Sequence, residues 1–164
     1  MQKEHKNKVS GFSLVEVVLA VAIAVMFFLA IYEMILFANK ITANSLRRVE
    51  ALNFAQEGIE AVRTIRDKSW SVNLAGVVSD TNYYLAISEG KWTISQIPEP
   101  LLNNIFARVI KFYGVNRDVN GNIVMSGGTA DVKTKKVVSN VSWTEKGQSY
   151  TVSLETYITN FLDN

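Results

Sequence analysis

Between residues 12 and 37 nearly every position is apolar; Glu16 and Glu33 are the only charges, and residues 17–32 carry none. A bilayer-spanning helix needs roughly 20 such residues. The run meets that length. A cleavable secretory signal has a shorter apolar stretch of about 7 to 15 residues followed by a small-residue cleavage site, and no Ala-x-Ala-like site leads into a polar segment here. The hydrophobic part is therefore expected to remain in the mature protein. Beyond it, Ile41, Leu46, Val49, Leu52, Ala55, Ile59 and Val62 recur at steps of mostly three or four, with Arg47, Arg48, Gln56, Glu60 and Arg63 largely between them. This predicts an amphipathic continuation of the same helix. No proline interrupts residues 12–68, so one element of some 57 residues, about 85 Å long, is expected. Gly58 is its weak point, costing up to about 1 kcal/mol against alanine.

From Trp70 the texture changes to short β-branched and aromatic runs separated by Gly, Asn and Pro. "YYLAIS" and "KWTISQI" flank Glu89 and Gly90 as a hairpin that Pro98 and Pro100 end. "FARVIKFYGV" predicts a further strand, joined by the tight-turn pair Asn120 and Gly121 to "NIVMS". In the last hairpin Val137, Val141 and Trp143 alternate with polar residues, as do Tyr150, Val152, Leu154 and Ile158 across a turn at Lys146 and Gly147. A sheet of about four to six antiparallel strands with one apolar face needs a cover, which the amphipathic half of the helix supplies. The expected fold is α+β. Its segments are a leader (1–11), a transmembrane helix (12–37), the amphipathic continuation (38–68) and a β-rich head (69–164).

The leader is polar and basic through Lys3, Lys6 and Lys8 against Glu4, which by the positive-inside rule holds the N-terminus in the cytoplasm and the head outside, as a single-pass protein of the cytoplasmic membrane. A short basic leader ending in Gly11, then Phe12, Ser13, Leu14, Val15, Glu16 and a long apolar helix, resembles the class III signal of type IV pilins and type II secretion pseudopilins. The resemblance covers the leader and about the first dozen helical residues. It implies cleavage by a prepilin peptidase between Gly11 and Phe12, N-methylation of Phe12, and a glutamate, here Glu16, at the fifth mature residue. It also implies a pilin-like fold and filament assembly with other pilin or pseudopilin subunits through an inner-membrane platform, with membrane lipid as the surroundings beforehand. Many major pilins carry a helix-breaking proline where this chain has Glu33, and a disulfide near the C-terminus. Neither is present here, which favours a minor pilin or pseudopilin.

Glu16 also has a physical role to play. A charge near the middle of a membrane helix costs roughly 2.5 to 3.5 kcal/mol, and such residues usually have a partner and a function. Counted from Phe12, Glu16 lies about 6 Å along the helix, near the inner interface, whereas Glu33 lies about 31 Å along, at the outer edge of a layer about 30 Å thick. Cutting after Gly11 exposes a cationic amine at Phe12. A neighbouring subunit's amine against Glu16 would compensate both charges and fix the register between subunits. Alternatively, Glu16 is an interfacial acid favoured by the helix dipole alone.

No catalytic, cofactor or metal site is expected in the head, although carboxylate pairs remain open. Its chain has no cysteine, and the one histidine, His5, lies in the leader, so His- and Cys-based catalysis and soft-metal sites are excluded. Asp118, Asp131, Glu145 and Glu155 show no spacing that argues chemistry. "DVNGN" (118–122) begins like a calcium loop but lacks the sixth-position glycine and the distal glutamate, so a hairpin turn is expected. Without the leader the chain has fourteen basic and fourteen acidic residues, and residues 69–164 have eight of each. That balance argues against nucleic-acid binding. Lys133, Lys135 and Lys136 are expected to form a solvated sheet edge. An alternative reading of the whole is a signal-anchored membrane protein with a ligand-binding β-rich head.

Overall fold

The computed structural model describes residue 11 and residues 13–162. The chain falls into two compact units, Met1–Ser45 and Leu46–Asn164. One α-helix, α1 (Leu14–Lys68), is continuous across the boundary. In the first unit every described residue up to Phe37 is exposed, Leu14 to Phe37 included, and the helix is long and apolar enough to cross a membrane. Water would not tolerate that surface.

In the second unit α1 lies on an antiparallel sheet, as the α+β reading expects. Its buried positions are Ala51, Ala55, Gly58, Ile59, Ala61, Val62 and Ile65. The predicted stripe is therefore corrected in part: Ile41, Leu46, Val49 and Leu52 are exposed, while Ala55, Ile59 and Val62 face the core. The facing surface is built from small residues because the helix approaches the sheet closely. A Cβ placed on Gly58 would sit 2.6 Å from Ser139 Oγ, 3.1 Å from Ile110 Cδ1 and 3.2 Å from Arg108 Cδ. Glycine at 58 is thus a packing requirement rather than a weakness.

After α1 a single helical turn, α2 (Trp70–Asn73), is capped by Ser69, whose Oγ accepts from Val72 N at 3.4 Å, and it buries Trp70. Strands begin only at β1 (Tyr84–Ser88), later than the change of texture at Trp70 predicts. β1 pairs with β2 (Lys91–Ser95) as a separate two-stranded sheet, joined to the main one by a bridge between Tyr83 and Ile110. The main sheet has the order β4-β3-β5-β6, with β3 Ala107–Arg117, β4 Ile123–Val124, β5 Thr129–Glu145 and β6 Gln148–Thr159. Two of the three expected two-residue turns form, while Asn120 and Gly121 lie in a five-residue connection, 118–122, between Arg117 and Ile123. Glu89 and Gly90 have φ of 51° and 72°, and Lys146 and Gly147 have 49° and 79°, the left-handed pairs that suit the twist of a hairpin. "NIVMS" contributes only Ile123 and Val124 to pairing.

The lysines need correction. β5 runs between β3 and β6, so Lys135 and Lys136 occupy a central strand, not an edge. Register jumps between Gly114↔Lys135 and Val115↔Asp131, which leaves Val132, Lys133 and Thr134 bulged out of the ladder with β3.

Two apolar clusters fill the space under α1. One contains Ile59, Val62, Ile65, Trp70, Ile110 and Phe112; the other contains Ala51, Ala55, Phe106, Val141 and Trp143. In the second, Phe106 meets Trp143 edge-on at 5.6 Å, and Tyr150 stacks on Trp143 at 5.4 Å. Ser139 is fully buried on this face, and its hydroxyl has no hydrogen-bond partner among the described residues.

Gly58→Ala should gain helix propensity of up to about 1 kcal/mol yet lose about 1–3 kcal/mol to overpacking. Denaturant unfolding of the full chain in detergent is expected to show a net loss. Adding Ser139→Ala, which removes the nearest obstructing atom, should recover part of it.

Candidate processing and assembly site

Ser13 caps α1 through its carbonyl, which accepts from Glu16 N at 3.0 Å and Val17 N at 3.2 Å. Glu16 is the third helical residue, so its carboxylate lies in the first turn, where the helix dipole favours negative charge. The spacing of Ser13 and Glu16 is also that of a capping box. Gly11, immediately upstream, is exposed. The leader residues 1–10 and Phe12, the predicted methylation site, lie outside the described residues. Among the described residues Glu16 forms no ion pair. It shares an exposed helix face with Val17, Ala20, Val21 and Ala24. Ala20 and Ala24 lie about one and two turns beyond Glu16, and small side chains let a second backbone come close in a membrane.

Residues 6–32 match the family described as the prokaryotic N-terminal methylation motif. The chain has a type IV pilin-like N-terminus. In general, a motif of this type implies processing by a prepilin peptidase and assembly with other pilin subunits. The match ends at Tyr32, within the exposed apolar part of α1, and does not reach the head. No curated protein and no solved structure matches the chain.

The head's carboxylates are engaged singly rather than brought together. Asp118 Oδ1 accepts from Asn120 N (2.9 Å) and Asn122 N (2.8 Å), and Oδ2 accepts from Asn122 Nδ2 (3.1 Å). The "DVNGN" segment is thus a turn closed on its own aspartate, which these bonds hold below the ordinary carboxylate range, the Asn122 side chain first. Asp131 accepts from Arg117 Nε at 2.6 Å, Glu145 lies 3.5 Å from Arg47 Nε, and Glu155 pairs with Lys136 Nζ at 2.7 Å. Asp80 accepts from Lys111 Nζ and Tyr113 Oη, each at 2.8 Å. On the helix, Arg63 pairs with Glu60 at 2.6 Å and Asp67 pairs with Arg66 at 2.8 Å. Among the described residues no three metal-ligating side chains gather.

Arg108 escaped the sequence reading. It is 2 % exposed under α1, and its guanidinium donates to Glu99 through Nε (3.1 Å) and Nη2 (3.2 Å) and to the carbonyl of Phe54 (3.2 Å), with Glu57 at 3.4 Å. One side chain thereby ties helix, loop and sheet. The signal was present: Arg108 shares strand parity with Ile110 and Phe112, so alternation places it on the apolar face. Beside it a cleft of about 610 Å³ opens, walled by Leu85, Ile87, Trp92, Ile97 and Pro98.

Asp131 is held below the ordinary carboxylate range by its bond from Arg117 first and Thr134 second. Asp80 is lowered by Lys111 first. Carboxyls that titrate lower when folded contribute stability above the unfolded pKa of about 3.9 and lose it as pH falls through the folded value. Unfolding midpoints are expected to drop as pH falls from about 5 toward 2. Asp131→Asn should flatten part of that slope.

Proposed function

We propose that the chain is a structural, non-enzymatic subunit, a minor pilin or pseudopilin of a type IV pilus or type II secretion-like filament. A prepilin peptidase cuts it between Gly11 and Phe12, the new Phe12 amine is methylated, and the head lies on the outer side of the cytoplasmic membrane before assembly. In the filament, Glu16 receives the Phe12 amine of a neighbouring copy. What supports this reading is a lone carboxylate without an ion-pair partner among the described residues, in the first turn of an exposed apolar helix that carries the methylation motif. An insertion cost of roughly 2.5–3.5 kcal/mol for such a charge calls for a compensating cation. Ala20 and Ala24 on the same exposed face suit the close approach of a second helix.

A second reading draws on the cleft beside Trp92: a signal-anchored membrane protein whose head binds a ligand as a monomer. The N-terminus separates the two.

Mass spectrometry of the protein purified from its membrane should find methylated Phe12 as the first residue; an intact Met1, or a cut beyond Phe37, contradicts the subunit reading. Glu16→Ala should still be processed yet be impaired in assembly, because an unpaired buried charge costs about 3–5 kcal/mol. Normal filament yield from that variant would remove the register role.

A further inference from the structure

The main sheet has one occupied edge and one open edge. Along β3, Ile110 exchanges hydrogen bonds with Tyr83 (2.8 and 2.9 Å) and the Phe112 carbonyl accepts from Asp80 N (2.9 Å), while β4 covers the far end. β6 is the last strand in the order, and among the described residues nothing pairs with its outer side. The hairpin fixes which amides point outward. A two-residue turn makes Glu145↔Gln148 a doubly bonded pair, and such pairs alternate along an antiparallel ladder. Asn160 N donating to the Lys133 carbonyl at 2.8 Å keeps the same phase at the other end. The N–H and C=O groups of Ser149, Thr151, Ser153, Glu155, Tyr157 and Thr159 therefore face away from the sheet.

Natural edges are usually short, broken by a bulge or proline, or guarded by lysine. β6 is 12 residues long, keeps unbroken register with β5 and contains neither Pro nor Lys. Its single charge, Glu155, is paired with Lys136 at 2.7 Å. An edge left in that state is built to be paired.

We propose that β6 pairs antiparallel with β6 of a second copy of this chain. Self-complementarity identifies the occupant. With Leu154 opposite Leu154 of the second copy, Ser153 meets Glu155, Thr151 meets Tyr157 and Ser149 meets Thr159, so all six outward-facing residues of each strand are bonded. A shift of the register in either direction strands at least one of them. On the inner face Leu154 then meets Leu154, Val152 meets Thr156 and Tyr150 meets Ile158. Tyr150, Val152 and Leu154 are the half-buried flank of the core, which the second copy would cover. Like charges are not placed directly opposite, since each Glu155 faces a serine.

The contact is isologous and closes at two copies. Its two-fold axis stands normal to the sheet and reverses every direction lying in the sheet's plane, so the two heads point opposite ways. Subunits of one polar filament share a direction. Set in the filament reading, the pair joins copies from different filaments; the pairing itself does not require that reading.

The absence of cysteine allows a direct test on the full chain in detergent. Oxidation should cross-link Leu154→Cys with itself, whereas Val152→Cys and Thr156→Cys should link only when mixed. The mixed pair carries the test if Leu154→Cys folds poorly. Ser153→Pro removes only an outward N–H, so light scattering should show the dimer lost while the thermal midpoint is nearly kept. A monomer at the highest soluble concentration, cross-linking without preference for these positions, or a dimer that survives Ser153→Pro overturns the proposal.

Discussion

The head is organised by how closely α1 can approach the sheet. At Gly58 there is no room for a single carbon, with Ser139, Ile110 and Arg108 directly beneath. Ala51, Ala55 and Ala61 are buried on the same side of the helix, with Ile59, Val62 and Ile65. Close approach in turn makes the Arg108 arrangement feasible, because its guanidinium can reach the Phe54 carbonyl on the helix while holding Glu99 in the loop. A buried cation without those acceptors would be strongly unfavourable. The interaction therefore fixes where the helix, the loop before β3 and the sheet meet.

The N-terminal part of α1 is governed by the opposite condition. Its residues make no core within the chain, and their exposure is compatible only with lipid or with other helices. A carboxylate at the start of such a helix is costly when isolated and inexpensive when a cation joins it, so the same residue discourages one arrangement and favours another. The segment that matches the methylation motif, residues 6–32, contains this carboxylate.

Much of this architecture was legible because it rests on local rules. The proline-free apolar run, the two hairpin turns at residues 89–90 and 146–147, and the alternation of Val137, Val141 and Trp143 each carry their signal within a few residues. Two errors came from non-local facts. Leu46, Val49 and Leu52 outweigh Ala51 and Ala55 on any hydrophobic scale, yet the size limit set by the sheet selects the alanines for the interior. Strand order likewise cannot be read from Lys135 and Lys136 themselves, which look like edge residues but lie between two partners. The role of Arg108 depended on Glu99 and Phe54, nine and fifty-four residues away.

The interior of the head is not one continuous oily mass. Its two clusters share a border at Leu154, which packs against both. A change at Leu154 reaches both halves at once, so this half-buried strand position couples the two ends of the interior.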